Sequence, residues 1–384
     1  MGLGSKRSLR PKHIFDFCCA DPRSHEGERQ RILDRLARTN WMWCHVVQLD
    51  HHQLYDFRAS FVRVTTPRYH TKVPALVIQT ENLPHQCSDW LSQRCDLHVC
   101  PAESLRFKEL LPEAEGLVIR TYTTVDQYMV EAAPKLRVVG RAGAGIDNID
   151  LESCKEHNVR VVHTPDANSE AVVEFVIAMM MPKLRPIEQV VGAMDLAQWS
   201  QLRENAMCHF QFNEMTLGIV GFGRIGRRLG CIAQSIGFRV LFHDIQNIEE
   251  SYGCEPSNLD TLLGDSHVVS VHVDGRKENK HLCDAAFFSK MKSGAVFINT
   301  SRGFVADSQA LANHLSLDPK SSAVLDVHDP EPIEATCPLL GLHNVSLYPH
   351  AACKTQTATV NMGWVVKDVD AVLSGETPEF EALL

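Results

Sequence analysis

The apolar positions of this chain fall into two alternating series. In the first, short runs rich in Val, Ile and Leu recur at residues 73–79, 97–100, 116–120, 136–140 and 159–163. Near-continuous apolar runs of this length are what strands buried on both faces look like. Helical stretches lie between several of them, at 124–133 and 151–157. A longer apolar stretch from Ser169 to about Met181 predicts a helix, which Pro182 should end or kink because it lacks an N–H and clashes with the preceding turn. The second series begins at Leu217 and predicts six strands, at 217–221, 238–244, 267–273, 295–300, 322–327 and 344–348. A last helix, 358–373, could return to the first series. Strands alternating with helices imply an α/β protein built on parallel sheets with helices on their faces.

Residues 1–71 stand apart as an extension of unclear role. Residues 29–38 could form one amphipathic helix there, with Ile32, Leu33 and Leu36 on one face. His45, His51, His52 and His70 have no cysteine or carboxylate at ligand spacing, so no metal site is expected.

The second series opens with Leu217-Gly-Ile-Val-Gly-Phe-Gly-Arg-Ile-Gly226. An apolar run ends in Gly221, Gly223 and Gly226 and leads into a predicted helix, which is the context that gives G-x-G-x-x-G a mechanism. The first glycine permits a tight turn, the second lets backbone approach a pyrophosphate, and the third packs helix on strand. The helix N-terminus then offers free N–H groups and the positive end of its dipole. The next predicted strand ends at Asp244, where a carboxylate accepts hydrogen bonds from ribose hydroxyls and repels a 2′-phosphate. The expected cofactor is therefore NAD.

Composition narrows the partners. A net charge of −9 without a basic block argues against nucleic acid, so an anionic ligand must be met by a local arginine cluster or backbone N–H groups. No apolar run reaches the length of a membrane span. Thirteen cysteines, an odd number with no C-x-x-C pair, read as free thiols in a reducing compartment, which points to the cytoplasm.

Three polar residues lie just beyond late predicted strands, where this architecture puts its active crevice: Arg302, Glu331 and His350. Oxidising a 2-hydroxy acid needs a group that takes the alcohol proton, and histidine titrates in the useful range. A carboxylate beside it fixes the imidazole tautomer, and a guanidinium matches the two oxygens of the substrate carboxylate.

Taken with Val138-Val-Gly-Arg-Ala-Gly-Ala-Gly-Ile-Asp-Asn-Ile-Asp150, Thr164-Pro-Asp-Ala-Asn-Ser-Glu-Ala-Val-Val-Glu174 and Met291-Lys-Ser-Gly-Ala-Val-Phe-Ile-Asn-Thr-Ser-Arg-Gly303, the chain resembles the D-isomer-specific 2-hydroxyacid dehydrogenases from about Val73 onward. It is most similar to their D-3-phosphoglycerate dehydrogenase branch, in the form without a C-terminal regulatory domain. The resemblance implies two doubly wound parallel-sheet domains, a Rossmann NAD-binding domain (169–353) inserted into a flavodoxin-like substrate domain (72–168 and 354–384). It implies that Arg302 binds the substrate carboxylate, His350 is the acid/base and Glu331 its partner. Arg224 and Ile225 would meet the pyrophosphate and Asp244 the ribose, with Ala144, Val273, Thr300 and Asp326 lining the dinucleotide. Gly143, Ala144 and Gly145 would present N–H groups to the substrate, and Arg120 would meet its far end. A homodimer through the cofactor domain is implied as well.

The favoured reaction is 3-phosphoglycerate to 3-phosphohydroxypyruvate, a step of serine biosynthesis. A hydroxypyruvate or glyoxylate reductase is the alternative within enzymes, and an NAD(H)-sensing corepressor-like protein is the alternative from another class. The sequence departs from the family in three places. Val273-Asp-Gly-Arg-Lys replaces a Pro-Leu-Thr-type turn, Ala351-Ala-Cys353 replaces a glycine-rich turn, and the second basic group often found near Arg120 is missing.

Overall fold

A computed structural model describes residues 74–382, so the helix expected at 29–38 and the four early histidines lie outside the described residues. Residues Val73–Leu384 form one compact unit.

Its first sheet contains β1 (Leu76–Gln79), β2 (Asp96–Val99), β3 (Gly116–Ile119), β4 (Val138–Arg141) and β5 (Arg160–His163), all parallel in the order β2-β1-β3-β4-β5. Helices α1 (His85–Ser92), α2 (Leu105–Leu110), α3 (Gln127–Glu131) and α4 (Leu151–Glu156) connect the strands. Two cores form, one on each face of this sheet, and the strands' unbroken apolar runs reflect that double burial.

Helix α5 (Ser169–Leu184) leaves the first sheet and packs on the second through Val173, Val176 and Met180. Pro182 does not end it. The helix runs to Leu184, because Pro182 sits in the last turn, where it costs one hydrogen bond and no buried contact of that stripe. After α6 (Leu196–Asn205) comes the second sheet: β6 (Thr216–Val220), α7 (Arg224–Ser235), β7 (Arg239–His243), β8 (Glu255–Pro256), α8 (Leu259–Asp265), β9 (Val268–Val271), α9 (Ala285–Lys290), β10 (Val296–Asn299), α10 (Ser308–Leu317), β11 (Ser322–Leu325) and β12 (Val345–Leu347). Every pairing is parallel, in the order β12-β11-β10-β9-β6-β7-β8. All six expected strands are present. The seventh, β8, is a two-residue edge strand too short to carry a period. The chain reverses direction across the sheet at β6, and ligands bind beyond the strand ends at such a switch point.

The expected helix 358–373 is two helices, α11 (Gln356–Gly363) and α12 (Val366–Ser374). The break at Trp364 sets its ring edge-on against Trp90, 6.3 Å between centroids, and redirects the chain onto the first sheet. There Val365, Val366, Val369 and Val372 bury against Val77, Val118, Val138 and Val162. Gly140 makes the close approach possible, since a Cβ at that position would lie 2.3 Å from the Val369 side chain.

Candidate active site

A cleft of about 540 Å³ runs beyond the strand ends of both sheets, from Asp244 past the glycine loop to His350, Arg302 and Arg120.

The glycine loop is built as its spacing requires. Gly221 takes φ +92°, and a Cβ there would lie 2.7 Å from the His272 carbonyl oxygen. A Cβ on Gly226 would lie 2.3 Å from the Gly221 carbonyl oxygen, whereas one on Gly223 would meet nothing within 4 Å. Gly221 and Gly226 are therefore packing glycines, and Gly223 keeps the approach to the backbone open. The first N–H of α7 with a carbonyl partner is that of Arg227, bonded to Gly223. Those of Arg224, Ile225 and Gly226 are left for an anion at the helix N-terminus. These features fit a dinucleotide: an open backbone cradle for the pyrophosphate lies between an acid at one end and a proton-transfer group at the other.

Asp244 uses both carboxylate oxygens on backbone, accepting from Phe222 N–H at 2.6 Å and Gln246 N–H at 2.8 Å. These bonds hold the carboxylate at the glycine-loop end of the cleft. Val273 and Thr300 line the cleft, and the Thr300 hydroxyl lies 3.3 Å from His272 Nδ1. His272 also contacts Ser270 Oγ at 2.8 Å, and burial pushes it down to about 3, so it stays neutral and takes no part in proton transfer at working pH. Asp326 reaches the cleft, but its oxygens accept from Ala351 N–H at 2.7 Å and Ala352 N–H at 2.8 Å. Burial raises its carboxyl, and these two N–H bonds oppose the rise. Its task is to brace the turn that carries His350, which adopts φ +52°.

His350 Nδ1 lies 2.9 Å from Glu331 Oε2, whose other oxygen accepts from His328 N–H at 2.9 Å. The carboxylate accepts, so Nδ1 carries the proton and Nε2 is left to exchange one with a substrate. Burial works to raise the Glu331 carboxyl, but the bonds from His350 and the His328 N–H win and hold it below the usual carboxylate range. The structure thus brings Glu331 and His350 together, with Arg302 in the same cleft.

Arg302 is already engaged. Its Nε lies 3.0 Å from both Asp147 oxygens, Nη2 donates to Asp147 Oδ1 at 2.6 Å, and Nη1 donates to the Ser301 carbonyl at 2.8 Å. Sequence reasoning missed Asp147, although it lies within the quoted Gly-Ala-Gly-Ile-Asp motif. It also missed Arg141 in the same motif, a half-buried cation facing the cleft whose Nε has no hydrogen-bond partner. Burial, and then the neighbouring Arg302, push Arg141 down to about 10.

The glycine-rich loop after β4 corrects one expectation. The Gly143 N–H donates to the Arg141 carbonyl at 2.9 Å, leaving Ala144 and Gly145 as the loop's available donors. Gly143 instead serves space, at φ +152°, since a Cβ would overlap the Arg141 guanidinium. Ala144 and Gly145 line the cleft, and the Ala144 carbonyl lies 2.9 Å from His163 Nδ1. Arg120 also lines it, with Nη1 donating to the Asn82 carbonyl at 3.0 Å and its loop held by Glu81, which accepts from four consecutive N–H groups of residues 120–123. Lys354, exposed, also lines the cleft, four residues after His350, and among the described residues no carboxylate pairs with it.

Among the described residues no cluster of metal ligands occurs, ten cysteines are unpaired, and no helix is long and apolar enough to cross a membrane.

Residues 177–352 match the family model for the D-isomer specific 2-hydroxyacid dehydrogenase NAD binding domain. A D-3-phosphoglycerate dehydrogenase of Archaeoglobus fulgidus is 30% identical over 298 residues, covering 76% of this chain but 56% of that protein, so the chain spans little more than half of that relative. A glyoxylate reductase of Aeropyrum pernix is also 30% identical, over 321 residues, covering 80% of this chain and 95% of the reductase. Among solved structures, D-lactate dehydrogenase from Aquifex aeolicus complexed with NAD and lactic acid is 25% identical, with a TM-score of 0.67 over 78% of this chain and 96% of that one.

Proposed function

We propose that this chain, which belongs to the D-isomer-specific 2-hydroxyacid dehydrogenases and carries their NAD-binding domain, interconverts a D-2-hydroxy acid carrying a second anionic group with its 2-oxo acid, 3-phosphoglycerate being the favoured substrate. When bound, NAD supplies the hydride acceptor. Arg302 and the Ala144 and Gly145 N–H groups hold the substrate carboxylate. His350 Nε2 takes the alcohol proton in oxidation and returns it in reduction, while Glu331 stabilises the charge that this leaves on the ring. Orientation and electrostatics are the protein's share of the work.

The observation that carries the substrate reading is the cation content of the cleft. Arg302 pairs with Asp147 and Arg276 with Asp274, and Arg224 and Arg227 lie at the glycine loop for the pyrophosphate, which leaves Arg141, Arg120 and Lys354 for the substrate. One carboxylate does not balance three further cations; a substrate with a phosphate or comparable anion on its third carbon does. A reductase of glyoxylate or hydroxypyruvate is the second reading, favoured by the reductase relative that aligns over nearly its whole length.

The test is steady-state kinetics of the full chain and of Lys354→Met on 3-phosphoglycerate, hydroxypyruvate and glyoxylate. The expected result is turnover of 3-phosphoglycerate, with KM for it raised roughly tenfold in Lys354→Met, the loss of about one charge-assisted contact of 1.5 kcal/mol, and glyoxylate kinetics unchanged. Fast glyoxylate reduction with no 3-phosphoglycerate turnover overturns the first reading in favour of the second.

A homodimer through the cofactor domain belongs to the same proposal. It is supported by the segment around α6, which has no buried residue and exposes Ile187, Val191, Leu196, Trp199, Met207 and Phe210.

A further inference from the structure

The Arg302–Asp147 pair joins the two halves of the cleft. Asp147 follows β4 in the first sheet, and Arg302 follows β10 in the second. The pair is seated between two glycines, one from each side. A Cβ on Gly145 would lie 1.8 Å from Arg302 Nη2, and one on Gly275 would lie 3.0 Å from the Asp147 carboxyl carbon. Burial works to raise the Asp147 carboxyl, but the hydrogen bonds and charge of Arg302 outweigh it and keep the acid ionised.

A guanidinium has two edges that match a carboxylate, one made of Nε and Nη2 and one of Nη1 and Nη2. Asp147 takes the first, through contacts of 3.0, 3.0 and 2.6 Å. The Ser301 carbonyl takes one hydrogen of Nη1 at 2.8 Å. Each of Nη1 and Nη2 keeps one hydrogen, and together these form the second edge. Arg302 is thus gripped on two sides in the lining of the cleft, much as Glu331 grips His350 at Nδ1.

We propose that Asp147 is a positioning residue for substrate-carboxylate recognition: by holding the Nε–Nη2 edge of Arg302 from the opposite side of the cleft, it aims the Nη1–Nη2 edge at the substrate. This rests on the reading that Arg302 binds a substrate carboxylate. Because donor and orienter come from different sheets, the fork is aimed only while the two sheets keep their spacing across the cleft. A misplacement of the order of an ångström in such a contact costs roughly 10²-fold in rate.

The experiment compares wild type, Asp147→Ala, Asp147→Asn and Gly275→Ala. NADH affinity is read by fluorescence, oxalate affinity by titration of the NADH complex, and KM and kcat with whichever 2-oxo acid the wild type reduces. Circular dichroism establishes that each variant is folded. Gly275→Ala keeps every charge and only crowds Asp147, so it tests the role even if Asp147→Ala does not fold. The expected result is unchanged NADH affinity in all variants, with oxalate affinity and KM weakened roughly 10²-fold in Asp147→Ala. Partial recovery is expected in Asp147→Asn, which keeps one acceptor oxygen, and a smaller loss of the same kind in Gly275→Ala. Oxalate affinity in Asp147→Ala equal to wild type overturns the role. If the wild type reduces no 2-oxo acid, the proposed reaction falls while oxalate affinity still reports on Asp147. A wild type that binds NADH but not oxalate overturns the carboxylate site and the role of Asp147 together.

Discussion

His350 and His272 face the same cleft with opposite chemistry. His272 has its ring nitrogens against Ser270 and Thr300 and is driven to about 3 by burial, so it stays a neutral hydrogen-bonding group. His350 has a carboxylate at Nδ1 and a free Nε2. His350→Ala is expected to lower turnover by roughly 10²–10⁴-fold while leaving NADH binding intact, measured by steady-state kinetics beside fluorescence titration. Glu331 is depressed below the usual carboxylate range, so its support of the ring is present above that range and is lost only as pH falls through its lowered value. Glu331→Gln removes the charge that stabilises the ring once it holds the proton, and kcat for oxidation is expected to fall roughly tenfold, the loss of about one charge-assisted contact, with NADH affinity unchanged. A kcat equal to wild type would separate Glu331 from the proton transfer. At this scale much was legible in the sequence, since Arg302, Glu331 and His350 each follow a strand whose end is predictable. Asp147, Arg141 and Lys354 were not, because their roles depend on what lies across the cleft, and no local period encodes that.

Individual elements follow local signals closely, and the departures have local causes. Every expected strand formed, because parallel strands buried on both faces leave a continuous apolar run. Pro182 was misjudged because a proline's cost depends on which turn it occupies, and the final turn has little left to break. The split into α11 and α12 was hidden because both helices are apolar on the side that packs, so the sequence pattern carries no mark of the break at Trp364. Gly140 is where element packing is most exacting, with the α12 side chain of Val369 on a strand position that has no room for a methyl. Gly140→Ala is expected to destabilise the protein by about 1–3 kcal/mol, the usual cost of overpacking. Denaturant titration measures it, and an unchanged midpoint would mean that α12 shifts without cost.

For the molecule as a whole, the apolar surface around α6 sets the expectation for assembly. A soluble chain seldom leaves Trp199, Phe210 and Val191 exposed on one segment. Trp199→Glu is expected to shift the mass measured by light scattering from dimer to monomer at micromolar concentration. A wild type that is already monomeric would remove the dimer from the proposal. The overall plan was readable because the glycine loop and the late polar residues fall in a fixed order along the chain. The mutual grip of the two halves was not, because its ion pairs, Arg302–Asp147 and Arg228–Asp166, join residues 155 and 62 positions apart.

The return of α12 to the first sheet also bears on how the protein is made. One face of that sheet, near the start of the described chain, is covered by Val365, Val366, Val369 and Val372, close to the end. During synthesis, the strands 76–163 come long before α12, so the part of that face that α1 does not cover through Cys87 and Leu91 stays open until residues 365–372 have left the ribosome. The second sheet, by contrast, is continuous in the chain from Thr216 to Leu347 and can close before then. The usual order, in which the N-terminal unit folds first, is therefore inverted. The nascent chain can close its second sheet upstream of α12, and the first sheet, made earlier, is the one that depends longest on protection from aggregation.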